Sequence, residues 1–333
     1  MIDNAAVIFR PTGPQGRLEQ VVFTERPAEV AAFVDYWAST PREAADELGG
    51  SPDVPDEPLV LSAQLMSIVA DALCSGDQVD PDGCGWYHSV WQYLRLLDMV
   101  STPSWHSEFF HRELVSALRA SEASHRVIIS GAADYSMLAH VLLAAAATPV
   151  EPDVTVVDLC PTPLFACSWY AKRSGSRVRT ISTDIREIAA HPAERGASLI
   201  CCDAFLSRFS HSERHDVLRS WRSLLAPGGF VVTTVRVHDA IADGPRDKLV
   251  QRFGREAASR LRRWSAYVDF DAYSLVHMAE VYAERIGSNP VRSEAELVDE
   301  CKRAGLKAIK VEHAATRGEF GPAVYLRLVL RNG

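Results

Sequence analysis

Five short apolar runs separated by helical stretches constrain the middle of this chain more than any other feature. They are Val127–Ile129, Val154–Val157, Val178–Ile181, Ala197–Cys202 and Phe230–Val235. Runs of that length, bounded by turn residues, suit strands buried on both faces. Between them Met137, Leu138, Val141 and Leu142 recur at helical spacing, and Leu164 to Arg173 and Ser212 to Leu225 also read as helices. Strands alternating with amphipathic helices predict a parallel sheet covered on both faces, a doubly wound α/β fold.

Such a sheet binds ligands outside the carboxyl ends of its strands. The segment His125 to Leu143, HRVIISGAADYSMLAHVLL, is a strand, a tight turn at Gly131 and a helix. That turn offers free backbone N–H groups and the positive end of a helix dipole. The next runs end in Asp158, Asp184 and Asp203. A carboxylate after the second strand can accept from both hydroxyls of a ribose. Asp184 can accept from an adenine amino group while Ile185 packs on the ring. Asp203, Ala204 and Phe205 follow the fourth strand, beside the reacting centre of such an arrangement.

The flanking regions add a cap and a closing hairpin. Ala6–Phe9 and Leu18–Phe23 read as strands, Ala28 to Leu48 as a helix, and Gly49 to Pro58 as a linker rich in Gly, Pro and Asp. Leu59 to Leu73 is a helix, Gly76 to Gly85 a break, and Trp86 to Phe110 the densest aromatic stretch. Residues 1–122 are expected to form a mainly helical cap that turns Tyr87, Tyr93, His88 and His106 toward substrate. Residues 123–333 hold the sheet, with a charged helical insert at about 236–290. Arg252, Arg255, Arg260, Arg262 and Arg263 of that insert read as a solvated face. Arg236 and His238 follow the fifth strand closely enough to reach a substrate. Leu306–His313 and Ala323–Leu330, joined by TRGEFGP around Pro322, read as a closing β-hairpin after a helix at Glu294 to Ala304.

Charge and composition exclude several classes. With 35 Lys and Arg against 43 Asp and Glu, the net charge of −8 argues against sequence-independent nucleic-acid binding. No apolar run is long enough to span a bilayer and no basic-then-apolar leader opens the sequence, so a cytoplasmic protein without membrane contact is expected. The seven cysteines form no CxxC pair and the eleven histidines no HExxH. Buried free thiols are expected, with no disulfide framework, zinc site or other metal.

The elements VIISGAADY, VVDL, STDI, ICCDAF and LRSWRSLLAPGGFVVTTV together resemble the core of the class I S-adenosylmethionine-dependent methyltransferases. The Leu-Leu, Pro-Gly-Gly and apolar strand of the last element are the most specific part. The resemblance covers about half the chain and implies a Rossmann-like sheet of seven strands, the last antiparallel. It implies S-adenosylmethionine as cofactor, with Gly131, Ala132 and neighbours at the methionine moiety, Asp158 and Leu159 at the ribose, Asp184 and Ile185 at the adenine, and Asp203 to Phe205 near the sulfonium. The family turn carries an acid and two further glycines where this chain has Ile129, Ala133 and Tyr135. Asp134 is the expected substitute for the acid. Tyr135 must bend the turn differently or point into the cleft.

The implied activity is methyl transfer to a small organic molecule, with Tyr135, His88, Tyr87 and His238 as candidate catalytic residues. An alternative consumes the same cofactor without moving methyl, by aminocarboxypropyl transfer or by a cyclisation that releases methylthioadenosine, as azetidine-2-carboxylate synthases do. A third reading is a non-catalytic binding subunit of the same fold. A small-molecule substrate is the expected partner, and a homodimer is compatible with the chain.

Overall fold

The computed structural model describes residues 6–11, 18–24, 58–74, 83–120, 125–237, 245–262, 264 and 271–333, the first two segments by backbone alone. The expected helix at 28–48 and most of the linker after it lie outside the described residues, as does His238. Strands β1 (Ala6–Pro11) and β2 (Leu18–Thr24) pair antiparallel. Helices α1 (Leu59–Leu73), α2 (Gly85–Leu96) and α3 (Ser107–Ala120) follow, with a 3₁₀ turn at Pro103–His106.

The alternating region then runs β3 (Arg126–Ser130), α4 (Ser136–Ala146), β4 (Asp153–Asp158), α5 (Pro161–Arg173), β5 (Arg179–Ser182), α6 (Ile185–Ile188), β6 (Ala197–Cys202), α7 (His211–Leu224) and β7 (Leu225–Arg236). Helices α8 (Arg246–Leu261), α9 (Ala272–Arg285) and α10 (Glu294–Arg303) precede β8 (Leu306–Thr316) and β9 (Ala323–Asn332). The seven-stranded sheet has the order β5-β4-β3-β6-β7-β9-β8. Its first five strands are parallel, and β9 runs antiparallel to both neighbours. Every residue of β6 is buried, as expected for a central strand in a doubly covered sheet.

Pro227-Gly228-Gly229 lies inside β7, ahead of its apolar run. Ala197 pairs with Leu225 and Leu199 with Phe230, so the extra residues form an irregularity on the β7 side. Gly228 takes φ +76°, a conformation that favours glycine.

Helices α1, α3, α4 and α5 cover one face through Leu65, Leu114, Leu138 and Leu164. Helices α7 and α10 cover the other through Leu218, Trp221, Leu297 and Cys301. Trp221 also donates its indole N–H to Ser130 Oγ at 2.8 Å, which ties α7 to the end of β3. A third core joins Val90 and Leu94 of α2 to Phe253 and Ala257 of α8 and to Leu275 and Tyr282 of α9. Segments before and after the parallel strands thus build one helical body beside the sheet. Part of the expected solvated arginine face is tied down there: Arg260 donates to Leu97 O at 2.8 Å, and Arg252 to Phe320 O. No helix among the described residues is long and apolar enough to cross a membrane.

Candidate active site

The strand order reverses between β3 and β6, the place where an open α/β sheet leaves a crevice. A cavity of about 550 Å³ lies there. Gly131, Asp158, Asp203 and Arg236 enter it from the carboxyl ends of β3, β4, β6 and β7. Tyr87 and Trp91 of α2 and Tyr282 of α9 form its aromatic wall. The Tyr87 and Trp91 rings stack at 5.0 Å, and the Arg208 guanidinium lies 5.3 Å from the Tyr87 ring centre.

The turn after β3 is shaped by a close approach. Gly131 has φ +75°, and a Cβ placed there would fall 2.2 Å from the Phe205 ring. Its N–H donates to Val157 O at 2.8 Å. The next N–H, from Ala132, donates to Asp158 Oδ2 at 2.9 Å, and Cys160 N–H donates to Oδ1 at 2.8 Å. Asp158 therefore holds two turns in place while each oxygen keeps further acceptor capacity. Burial pushes its pKa up against those two hydrogen bonds.

Asp203 is held by a hydroxyl relay. Ala204 N–H donates to Thr234 Oγ1 at 3.0 Å, and Thr234 donates its own proton to Asp203 Oδ1 at 2.5 Å. Burial pushes the Asp203 carboxyl up to about 6, partly offset by the Thr234 bond and reinforced by Glu319. The Glu319 carboxyl is likewise raised by burial, although Ser101 N–H donates to it at 3.2 Å. Asp203 was reached from the strand pattern. Glu319, Arg208 and Tyr282 were not, because Glu319 lies in the β8–β9 loop and neither Arg208 nor Tyr282 belongs to a motif.

The remaining expected site residues divide sharply. Ala132, Ala204 and Phe205 line the cavity with Gly131, and Tyr87 faces it from α2. Burial raises the Tyr87 pKa far above its ordinary value, so the phenol stays protonated and is no base near neutral pH. Tyr135 does not point into the cleft. It takes φ −78°, is fully buried, stacks on Tyr170 at 4.6 Å and shares a 2.7 Å hydrogen bond with Ser62 Oγ. The backbone at Tyr135 is therefore right-handed, and the residue serves the core. Asp134 borders the cavity with its charge already paired. Arg95 Nη1 donates to its Oδ2 at 2.7 Å and Ser136 N–H to its Oδ1 at 2.8 Å.

Asp184, Ile185 and Leu159 do not line the cavity. Ile185 is buried in the core under α7. Asp184 caps α6 and is held by the Arg186 guanidinium at 2.6 Å, which keeps its carboxyl below the ordinary range despite partial burial. Leu159 is 66% exposed and stands beside β5, since Ser182 Oγ donates to Leu159 O at 3.2 Å. His106 is buried away from the cavity, accepts from Arg327 at 3.2 Å and has its pKa pushed down to about 3, by burial first. It is a neutral packing residue rather than a base. Tyr93 is likewise a core residue of the helical body. His88 borders the cavity, yet its Nδ1 lies among thiols, 3.4 Å from Cys74 Sγ and 3.5 Å from Cys160 Sγ.

No family model matches the chain, and no curated protein sequence matches it. Among solved structures, it is similar to a Burkholderia thailandensis 1,6-didemethyltoxoflavin-N1-methyltransferase with bound S-adenosylhomocysteine, at 20% identity over 68% of this chain and 80% of that one, TM-score 0.43. It is also similar to the N-methyltransferase NodS of Bradyrhizobium japonicum in complex with S-adenosylhomocysteine, at 15% identity over 73% and 98%, TM-score 0.41. A Methanosarcina mazei S-adenosylmethionine-dependent methyltransferase gives 12% identity over 64% and 95%, TM-score 0.44. At these values the likeness says nothing of activity. The sheet itself, seven strands with β9 antiparallel between β7 and β8, agrees with the Rossmann-like sheet that the sequence resemblance implies.

Proposed function

We propose that this chain is an S-adenosylmethionine-dependent methyltransferase acting on a small organic molecule. One observation carries the reading: a single cavity at the sheet's switch point brings Gly131, Asp158 and Asp203 together under an aromatic wall. The residues present fit the cofactor at its nucleoside end. Asp158 keeps acceptor capacity for ribose hydroxyls. The cofactor would supply a methyl group on a sulfonium.

The chain's own groups suit an acidic acceptor. Asp203, with a carboxyl pKa of about 6, is ionised at neutral pH and can take a proton from the acceptor's nucleophile. Arg208 and Arg236 share the cavity with Asp158, Asp203 and Glu319, and the aromatic wall favours a flat acceptor. The acidic protein surface fits a small molecule better than a nucleic acid.

A second reading has its own support. The Arg95 pairing leaves Asp134 charge-compensated, which weakens its pull on the cofactor's amino group. A cofactor held loosely at that end suits attack on, or within, the aminocarboxypropyl group. Incubation with S-adenosylmethionine separates the readings. S-adenosylhomocysteine that forms only with an acceptor supports methyl transfer. Methylthioadenosine without an acceptor supports the second reading. Absence of S-adenosylhomocysteine binding by calorimetry refutes both.

A further inference from the structure

Three cysteines and one histidine, far apart in sequence, meet at the edge of the helical body. Cys74 is the C-cap of α1, Cys84 the N-cap of α2, His88 lies in the first turn of α2, and Cys160 is the N-cap of α5. Their ligand atoms all lie within 4.8 Å of one another. Cys74 Sγ and Cys84 Sγ lie 3.5 Å and 3.4 Å from Cys160 Sγ. His88 Nδ1 is 3.4 Å and 3.5 Å from the sulfurs of Cys74 and Cys160.

Those four spacings suit four of the six edges of a small tetrahedron, and the other two lie within 4.8 Å. Zinc–sulfur and zinc–nitrogen lengths put two sulfurs about 3.8 Å apart around one ion, and a sulfur and a nitrogen about 3.6 Å apart. The four measured edges agree within about 0.4 Å. They are too long for a disulfide, whose sulfurs sit about 2 Å apart. Cys74 Sγ also has Thr162 Oγ1 at 3.0 Å, a hydroxyl placed to donate to a thiolate as outer partners of metal ligands do. Packing alone gives no reason to gather three thiols and an imidazole nitrogen at one point.

We propose that Cys74, Cys84, His88 and Cys160 bind one structural zinc ion. Four protein ligands close the coordination sphere, so the ion holds the fold together rather than activating water. It joins α2 of the helical body to the end of α1 and the start of α5, which cover the sheet. Cys160 is two residues beyond Asp158 and donates its N–H to that carboxylate. The ion therefore also sets the position of Asp158 at the cavity. Sequence spacing argued against zinc because it tests only neighbouring residues, and here the ligands come from separate segments. The inference needs no ligand in the cavity and stands apart from the methyltransferase reading.

The test is elemental analysis of the whole protein, purified without chelators or a metal-binding tag. One zinc per chain is expected, retained through gel filtration and lost in Cys74→Ser and Cys160→Ser. Cys301→Ser, a remote cysteine, is expected to keep it. If the ligand variants do not fold, cobalt substitution of the wild-type protein decides. Tetrahedral thiolate coordination gives intense visible bands; a weak octahedral spectrum overturns the site. Less than a tenth of an equivalent of zinc, with no uptake on titration after reduction, also overturns it. So does a thiol count of five rather than seven in denaturant, which would show a disulfide. Zinc that the ligand variants retain is an adventitious ion only and refutes the assignment.

Discussion

Asp203→Asn is expected to stabilise the folded protein above pH 6. Between the ordinary carboxyl value of 3.8 and about 6, the unfolded chain has released this proton and the folded chain keeps it. The free energy of unfolding therefore falls as pH rises through that window, and the loss is complete above it. At about 1.4 kcal/mol per tenfold change in proton affinity, the gap corresponds to about 3 kcal/mol. Asp203 keeps some exposure to the cavity, so this is an upper bound. Asparagine removes the buried charge while its amide oxygen can still accept from Thr234. The expected gain at pH 8 is therefore about 1–3 kcal/mol, shrinking toward zero near pH 4. Denaturant melts of both proteins at pH 4, 6 and 8 measure it, with calorimetric S-adenosylhomocysteine binding as a control for the cavity. A difference that is flat across pH, or a variant less stable at pH 8, refutes the view that Asp203 is held at a cost to the fold.

Other outcomes follow from the same geometry. Asp158→Ala is expected to weaken S-adenosylhomocysteine binding by about 1–3 kcal/mol, roughly 5- to 150-fold, because ligand hydroxyls lose their acceptor; unchanged affinity in a folded variant sinks the ribose assignment. Arg95→Met strands the buried Asp134 carboxylate and should cost about 3–5 kcal/mol of stability; a loss below about 1 kcal/mol in denaturant melts would show the pair is not desolvated. Tyr135→Phe removes the hydroxyl that bonds Ser62 and should cost about 1 kcal/mol with turnover unchanged. A tenfold drop in kcat at normal stability would return Tyr135 to the catalytic residues.

What the sequence determined by itself is the sheet and the ends of its strands. Hydrophobic periodicity reports which residues of a local segment are buried, and that is enough to find β3, β4, β6 and the helices between them. The carboxyl ends follow from those strands, so Gly131, Asp158 and Asp203 were legible as a site. A residue beside a strand end can turn inward, which the local pattern does not record: Ile185 joins the core and Asp184 takes Arg186 as its partner. Only the tertiary structure decided the rest. Tyr135 found Ser62 and Tyr170, Arg95 found Asp134, and Glu319 reached the cavity from a distant hairpin. Cys74, Cys84, His88 and Cys160 met at one point. Each is a long-range pairing set by the path of the chain, and no local pattern of neighbours records that path.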